Sequence, residues 1–76
     1  MSNFVYLFRR GATGDRVDLD LPDRNAAWEE AVRACAEALK DIGGTLDHDE
    51  AIVLAVHDQD GLPLWELECR SRTRQL

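Results

Sequence analysis

A metal ion could be bound by four consecutive side chains of this sequence, those of Asp47, His48, Asp49 and Glu50. Carboxylate oxygens and imidazole nitrogens are common ligands of divalent cations. Adjacent residues cannot easily converge on one ion, however, and the stretch lacks the length and the glycine placement of a calcium-binding loop. We therefore predict a solvated acidic loop, with no bound metal or other cofactor.

His57 is the second candidate for chemistry, because a histidine beside a carboxylate can act as a general base or as a pH switch. It ends a strand-like run, and Glu66 or Glu68 could lie across from it in a hairpin. The sequence around it offers no nucleophile and no oxyanion donor. We therefore predict a partly exposed histidine at the rim of a sheet, in a protein that is not an enzyme.

The two cysteines, Cys35 and Cys69, have no CxxC spacing and no histidine within helical or strand reach. Nothing in the sequence therefore supports a disulfide framework or an activated thiolate. We interpret both as reduced and mostly buried side chains, since a free cysteine packs as a small hydrophobe.

Size and charge limit the classes of function. The chain has 76 residues, with nine Lys and Arg against fifteen Asp and Glu, and a net charge of -6. This charge repels a phosphate backbone and anionic lipids, so we predict no nucleic-acid or membrane partner. No apolar run approaches the roughly 20 residues of a membrane span, so we expect a cytoplasmic protein. A core of this size is thin, which favours a second subunit.

Two strands precede a helix. Residues 4–8 are apolar on both faces, which predicts a central strand, and glycines in residues 11–15 predict a turn. Residues 16–21 alternate strictly between apolar and charged side chains, as in a half-exposed edge strand. The helical segment lies within residues 21–43: Asp23 is the expected N-cap, with Asn25 as an alternative, and Gly43 suits the C-terminal end.

A second pair of strands follows. Residues 51–57 are again apolar on both faces, and residues 58–61 are typical of a hairpin turn. A two-residue loop would pair Val56 with Trp65, whereas a four-residue loop would shift the pairing by two. Both loop lengths keep the same side chains on each face of the hairpin. The helix-facing set is then Ile52, Leu54, Val56, Trp65, Leu67 and Cys69. The opposite face carries Val53, Ala55, His57, Leu64, Glu66 and Glu68.

These elements predict an α+β protein with the order ββαββ and a single four-stranded antiparallel sheet. The sheet order 2-1-3-4 places both doubly apolar strands in the centre and packs one helix on one face. We assign residues 1–70 to a single domain and residues 71–76 to a short basic C-terminal tail.

Three motifs are typical of a known family: an aromatic strand that ends in residues 9–11, Leu-Pro-Asp at 21–23 before an Ala- and Glu-rich helix, and Asp-Gln-Asp-Gly at 58–61. With them, nearly the whole chain resembles a family of small, acidic proteobacterial proteins known only as a domain of unknown function. Arg10 departs from the family, whose members commonly have an acidic residue there. The resemblance carries no activity and no ligand.

The resemblance does imply how the first strand is oriented. The family favours a polar residue at the position of Leu7, so Phe4, Tyr6 and Phe8 should face the helix. Val5 and Leu7 should then lie on the sheet face that the helix leaves uncovered, which we call the open face. Apolar patches of a few hundred Å² usually mark interaction sites.

We therefore expect a non-enzymatic interaction module that acts as a homodimer or with a partner protein, through the open face or an edge strand. The predicted interface residues are Val5, Leu7, Arg9, Val53, Ala55, His57, Leu64 and Glu66. An antitoxin- or inhibitor-like protein with an acidic surface is the alternative. A small-molecule or metal-dependent enzyme that uses His57, Glu66 and residues 47–50 is the third reading.

Overall fold

The structure is a computed structural model that describes residues 2–42 and 50–72. Within these residues the chain forms one sheet of four antiparallel strands and one helix, in the order ββαββ. The strands are β1 (Ser2–Arg10), β2 (Thr13–Leu21), β3 (Ala51–Asp58) and β4 (Pro63–Arg70), and the helix is α1 (Arg24–Ile42). The sheet order β2-β1-β3-β4 confirms the predicted architecture, with both doubly apolar strands in the centre.

The hairpin between β1 and β2 is tighter than predicted. Arg10 pairs directly with Thr13, so β2 begins three residues before the expected start at Arg16. Gly11 makes this possible, because its φ of 57° lies in the left-handed region that a glycine adopts without a steric penalty. The two-residue turn therefore extends the pairing of β1 with β2 to the ends of both strands.

The core lies between the helix and one face of the sheet. The sheet contributes Phe4, Tyr6, Ile52, Leu54 and Val56, and the helix contributes Ala27 and Ala31. This arrangement confirms the predicted orientation of β1, in which Phe4 and Tyr6 face the helix. Because the helix presents alanines at its centre, its backbone can approach the sheet closely.

The start of α1 follows from its capping residue. Asp23 lies just before the helix, and its Oδ1 accepts a hydrogen bond of 2.8 Å from the backbone N–H of Ala26. This bond satisfies a donor that the first helical turn leaves without a partner, and it confirms the predicted N-cap. The predicted C-terminal residue, Gly43, lies outside the described residues. Within residues 2–42 and 50–72, no helix combines the length and apolar character that a membrane span requires.

The hairpin between β3 and β4 contains an irregularity that moves one side chain. Val56 pairs with Trp65, as in the first predicted alternative, but the next pair joins His57 to Pro63. Leu64 is therefore an extra residue on β4, and it packs against the buried core on the helix side. The sequence-based placement of Leu64 on the open face was wrong, because a β-bulge interrupts the alternation of side chains on which it depended.

The apolar stripe of the helix is wider than the surface that the sheet covers. Trp28 is 42% exposed and Val32 is 46% exposed, although each directly follows a fully buried alanine, Ala27 or Ala31. On β2, Val17 is 51% exposed, although it lies on the helix side of the sheet. The helix thus turns its small residues to the core, and its larger apolar side chains lie beside this contact.

Tyr6 joins the sheet to the helix by a hydrogen bond. Its hydroxyl donates to the carbonyl oxygen of Ala27 at 2.8 Å in the core. Burial raises the pKa of Tyr6, and the negative charge of Glu30 raises it further. The folded chain therefore keeps this proton at a pH at which the unfolded chain releases it.

We expect the stability of the protein to fall as the pH rises above about 10, the ordinary pKa of tyrosine. In Tyr6→Phe the loss of the hydrogen bond should cost about 1 kcal/mol at neutral pH, and this alkaline component should disappear. Because Tyr6 is the single tyrosine of the chain, the absorbance of the phenolate reports its titration directly. A phenol that titrates at its ordinary pKa in the folded protein would contradict this interpretation.

Candidate interaction surface on the open face of the sheet

The open face is the side of the sheet opposite α1, and no helix covers it within the part of the chain that the structure describes. The alternation along each strand places these side chains on it: Asn3, Val5, Leu7 and Arg9 from β1, Arg16, Asp18 and Asp20 from β2, Ala51, Val53, Ala55 and His57 from β3, and Glu66, Glu68 and Arg70 from β4. Much of it lines a shallow groove of about 490 Å³. The structure thus brings the predicted interface residues together, apart from Leu64.

The central row of this face, the Leu7 row, crosses all four strands. Leu7 pairs with Arg16 on β2 and with Ala55 on β3, and Ala55 pairs with Glu66 on β4. The order across the sheet is therefore basic, large apolar, small apolar and acidic. Leu7 is 37% exposed, which is unusual for a leucine on a central strand.

The neighbouring row, the Arg9 row, is also basic toward β2 and acidic on β4. Arg9 pairs with Gly14 on β2 and with Val53 on β3, and Val53 pairs with Glu68 on β4. Basic side chains in these two rows come from β2 and β1, whereas acidic side chains come from β4. In these two rows the open face therefore has a basic side and an acidic side, with apolar residues between them. Farther along the same strands, Asp18 and Asp20 on β2 and Arg70 on β4 carry the opposite charges.

The third row, the Val5 row, contains the candidate histidine. Val5 pairs with Asp18 on β2 and with His57 on β3. The bulge places Pro63 opposite His57, while Glu66 and Glu68 pair with Ala55 and Val53, which precede His57 on β3. The carboxylates suggested as partners of His57 thus lie in other rows, because the pairing of Val56 with Trp65 fixes their register; Glu66 lines the same groove as His57.

Ion pairs within the chain hold some of these charges in place. Arg16 Nε lies 3.0 Å from Asp18 Oδ1, and Arg70 Nε lies 3.3 Å from Glu68 Oε1. The hydrogen bond from Arg16 lowers the pKa of the Asp18 carboxyl below its ordinary value. Exposed pairs of this kind contribute little to stability, and their side chains can exchange partners at small cost.

The sequence-based interface left out Arg16 and Asp18. The strict alternation of residues 16–21 already placed both on the side of β2 away from the apolar residues. Combined with the predicted position of β2 beside β1, this pattern is enough to place them on the open face.

Glu50 is the one member of the predicted acidic loop among the described residues; Asp47, His48 and Asp49 lie outside them. Its carboxylate binds the Arg10 guanidinium, with Oε1 at 2.9 Å from Nε. Among the residues described, no group of three or more His, Cys, Asp or Glu side chains is placed to hold a metal ion. The structure thus gives Glu50 a role in joining the start of β3 to the end of β1.

The two cysteines share one cavity, which the sequence did not reveal. Cys35 and Cys69 line a space of about 130 Å³ between α1 and the sheet, and both are free thiols. Burial raises the pKa of Cys35, and its proximity to Cys69 adds to this shift. A protonated thiol is a poor nucleophile, so Cys35 contributes as a packing residue.

A second groove, of about 680 Å³, lies between β2 and the C-terminal half of α1. Val17, Ala34 and Ala38 provide apolar surface, and Asp15 and Glu37 are among the acidic residues at its rim. It exists because small helix residues leave space above Val17. This groove is on the opposite side of the sheet from the open face.

The fold and this surface define a small α+β protein with one helix-covered sheet face and one open face. The chain belongs to the family described as Domain of unknown function (DUF6894), whose model matches residues 4–70. This match confirms the resemblance inferred from the three sequence motifs. Comparison with curated proteins and with solved structures gives no match.

Proposed function

We propose that this protein is a non-enzymatic, cytoplasmic protein-interaction module that acts through its open face, as a homodimer or with a partner protein. The observation that carries this proposal is the apolar centre of the open face, formed by Val5, Leu7, Val53 and Ala55, between the charged side chains of β2 and β4. A contact surface with an apolar centre and charged margins is the usual composition of a protein interface.

The residue types on β1 and β3 support this proposal. An antiparallel sheet with one solvated face normally alternates apolar residues inward with polar residues outward. The two central strands instead carry branched apolar side chains on both faces, including Leu7 and Val53 on the open face. Such residues gain free energy when a second surface removes them from water, at about 25 cal/mol per Å² of apolar area.

The state of the candidate catalytic groups supports a role without catalysis. His57 pairs with Val5 and Pro63 across the strands, and the nearest acidic side chain of β4 on this face, Glu66, lies in the next row. The raised pKa of Cys35 keeps its thiol protonated at neutral pH. Glu50 is engaged in its ion pair with Arg10.

A matched pair of substitutions tests this proposal. Val53→Lys places a charge at the centre of the open face, and Val32→Lys makes the same change on the helix, where the valine is already 46% exposed. We expect Val53→Lys to weaken self-association or partner binding at least about tenfold, because an interface must desolvate the lysine, while Val32→Lys retains binding. Sedimentation equilibrium and pull-down with the purified protein measure this, and circular dichroism checks that both variants fold.

Equal losses in the two variants, or a loss with Val32→Lys alone, would place the interaction on the helix side and contradict the proposal. A wild-type protein that is strictly monomeric at high micromolar concentration and binds no partner would also contradict the proposal.

The antitoxin- or inhibitor-like role is a second candidate, and the acidic rim of the groove beside β2 supports it. Asp15, Glu37 and Asp41 surround apolar surface there, a combination that suits a basic partner. In that case partner binding would respond to charge reversal at Glu37 and would be insensitive to Val53→Lys.

A further inference from the structure

We propose that the open face binds a second copy of this chain face to face, with a twofold axis that runs along the strands between β1 and β3. This inference rests on the proposed function, since it names the partner that the same surface binds. In such a dimer the two sheets form a sandwich, with β2 of each copy opposite β4 of the other.

The Leu7 row is complementary to itself under this symmetry. A twofold axis between β1 and β3 reverses the order of the strands, so the Leu7 row of one copy faces the same row of the other in the opposite direction. Arg16 of each copy then faces Glu66 of the other, and Leu7 faces Ala55. Opposite charges meet at both margins, and a large side chain meets a small one at the centre, as close packing of two sheets requires.

The other two rows agree with the same axis. In the Arg9 row, the stem of Arg9 lies over Val53 of the second copy, which brings its guanidinium beside Glu68 of that copy. Gly14 lies over Glu68 and leaves room for this contact. In the Val5 row, His57 lies over Val5 of the second copy and beside its Asp18. Each row therefore joins groups of complementary chemistry.

A face-to-face dimer with the other possible twofold axis does not match the charges in this way. A twofold axis perpendicular to the strands would place β2 over β2 and β4 over β4. If this axis passes through the Leu7 row, Arg16 faces Arg16 and Glu66 faces Glu66. If it passes between the Leu7 and Arg9 rows, Glu66 faces Glu68; if it passes between the Leu7 and Val5 rows, Arg16 faces Asp18 but Glu66 meets no opposite charge. Like charges that face each other across an interface oppose association. Among these axes, only the one along the strands gives both Arg16 and Glu66 an opposite charge.

The size of the face predicts a weak dimer. Four strands about 4.8 Å apart, with eight residues that each rise about 3.3 Å, present about 500 Å². Two such faces bury about 1,000 Å² in total, which is near the lower limit for a specific interface. We therefore expect a dissociation constant in the micromolar range and a dimer that weakens as the salt concentration increases.

A charge-reversal cycle tests the proposed pairing. Arg16→Glu and Glu66→Arg should each raise the dissociation constant about tenfold at low ionic strength, because each change acts at two symmetry-related contacts. The double variant Arg16→Glu, Glu66→Arg should regain most of the wild-type affinity. Within one chain these positions lie on opposite edges of the sheet, about 14 Å apart, so the recovery requires contact between copies. Sedimentation equilibrium gives the four constants.

Glu29→Arg is the matched control, since it reverses an exposed charge on α1 and should leave the dissociation constant unchanged. Single variants without effect, or a double variant that loses affinity additively, would overturn the proposed axis. A wild-type chain that stays monomeric at high micromolar concentration would overturn the second copy as the partner. The comparison of Val53→Lys with Val32→Lys in a pull-down would then decide separately whether the open face binds another protein.

Discussion

Leu54→Ala should lower the free energy of unfolding by about 3 kcal/mol, because it removes a large side chain from the centre of the core. Leu54 is 1% exposed on a central strand and packs with Phe4, Tyr6, Ala27 and the other core residues. The substitution loses the transfer free energy of the side chain and leaves a cavity that the neighbouring strands cannot close. A core of this size rarely supplies more than about 5 kcal/mol, so the variant should be close to unfolding at room temperature.

The matched control is Leu7→Ala, the same change on the adjacent strand but on the open face. Leu7 is 37% exposed, so its loss should cost less than about 1 kcal/mol in the monomer. Thermal unfolding should be followed at a protein concentration at which the wild type is monomeric, since association shifts the apparent stability. We expect a decrease of about 12–24 °C for Leu54→Ala and a few degrees for Leu7→Ala. Similar decreases would mean that the core is not where the structure places it.

Ala31→Leu should be the second most destabilising change, with a cost of about 2 kcal/mol or more. Ala31 is fully buried in the core between α1 and the sheet, so a larger side chain there must displace its neighbours. A leucine there would force the helix away from the central strands. The contact between Trp28 and Trp65, with ring centroids 5.3 Å apart, would change as the helix moves.

Ala36→Leu introduces the same side chain at an exposed position of the same helix, where leucine and alanine have similar helix propensities. This control should change stability by less than about 0.5 kcal/mol. Urea unfolding measures both variants, and the near-ultraviolet circular dichroism of the two tryptophans reports the position of the helix. If Ala31→Leu leaves both the stability and this signal unchanged, the close helix–sheet contact is not present in solution.

The open face links stability to the proposed association. Substitutions in the core act on the monomer, whereas those in the Leu7 row act on the contact between copies. A dimer that buries Leu7 would make the stability of wild type depend on protein concentration, and Leu7→Ala would reduce this dependence. The two effects are separable because the core and the open face use opposite sides of the same strands.

Much of the fold could be predicted because its signals are local. The alternation of residues 16–21, the doubly apolar runs at 4–8 and 51–57, and the cap at Asp23 each depend on neighbouring residues alone. The central position of β1 and β3 was predicted because strands that are apolar on both faces are typical of the buried middle of a sheet. The pattern alone did not orient β1: Val5 and Leu7 were placed on the open face from the family resemblance.

Other features depended on contacts between residues that are far apart in sequence. The sequence left two pairings open for the second hairpin, and it could not show that a bulge moves Leu64 to the helix side, because a bulge arises from the fit between the turn and the regular strands. The exposure of Val17 and Trp28 depended on how closely the helix approaches the sheet.

The sequence by its own pattern specified which strands are apolar on one face and which on both, where the helix begins and how the elements are ordered, since side-chain periodicity and capping act over a few residues. Only the tertiary structure decided which charges share a row across the sheet, because that requires the register of strands joined through a helix. The order Arg16, Leu7, Ala55, Glu66 on the open face is such a result, and it is the feature that the proposed dimer uses.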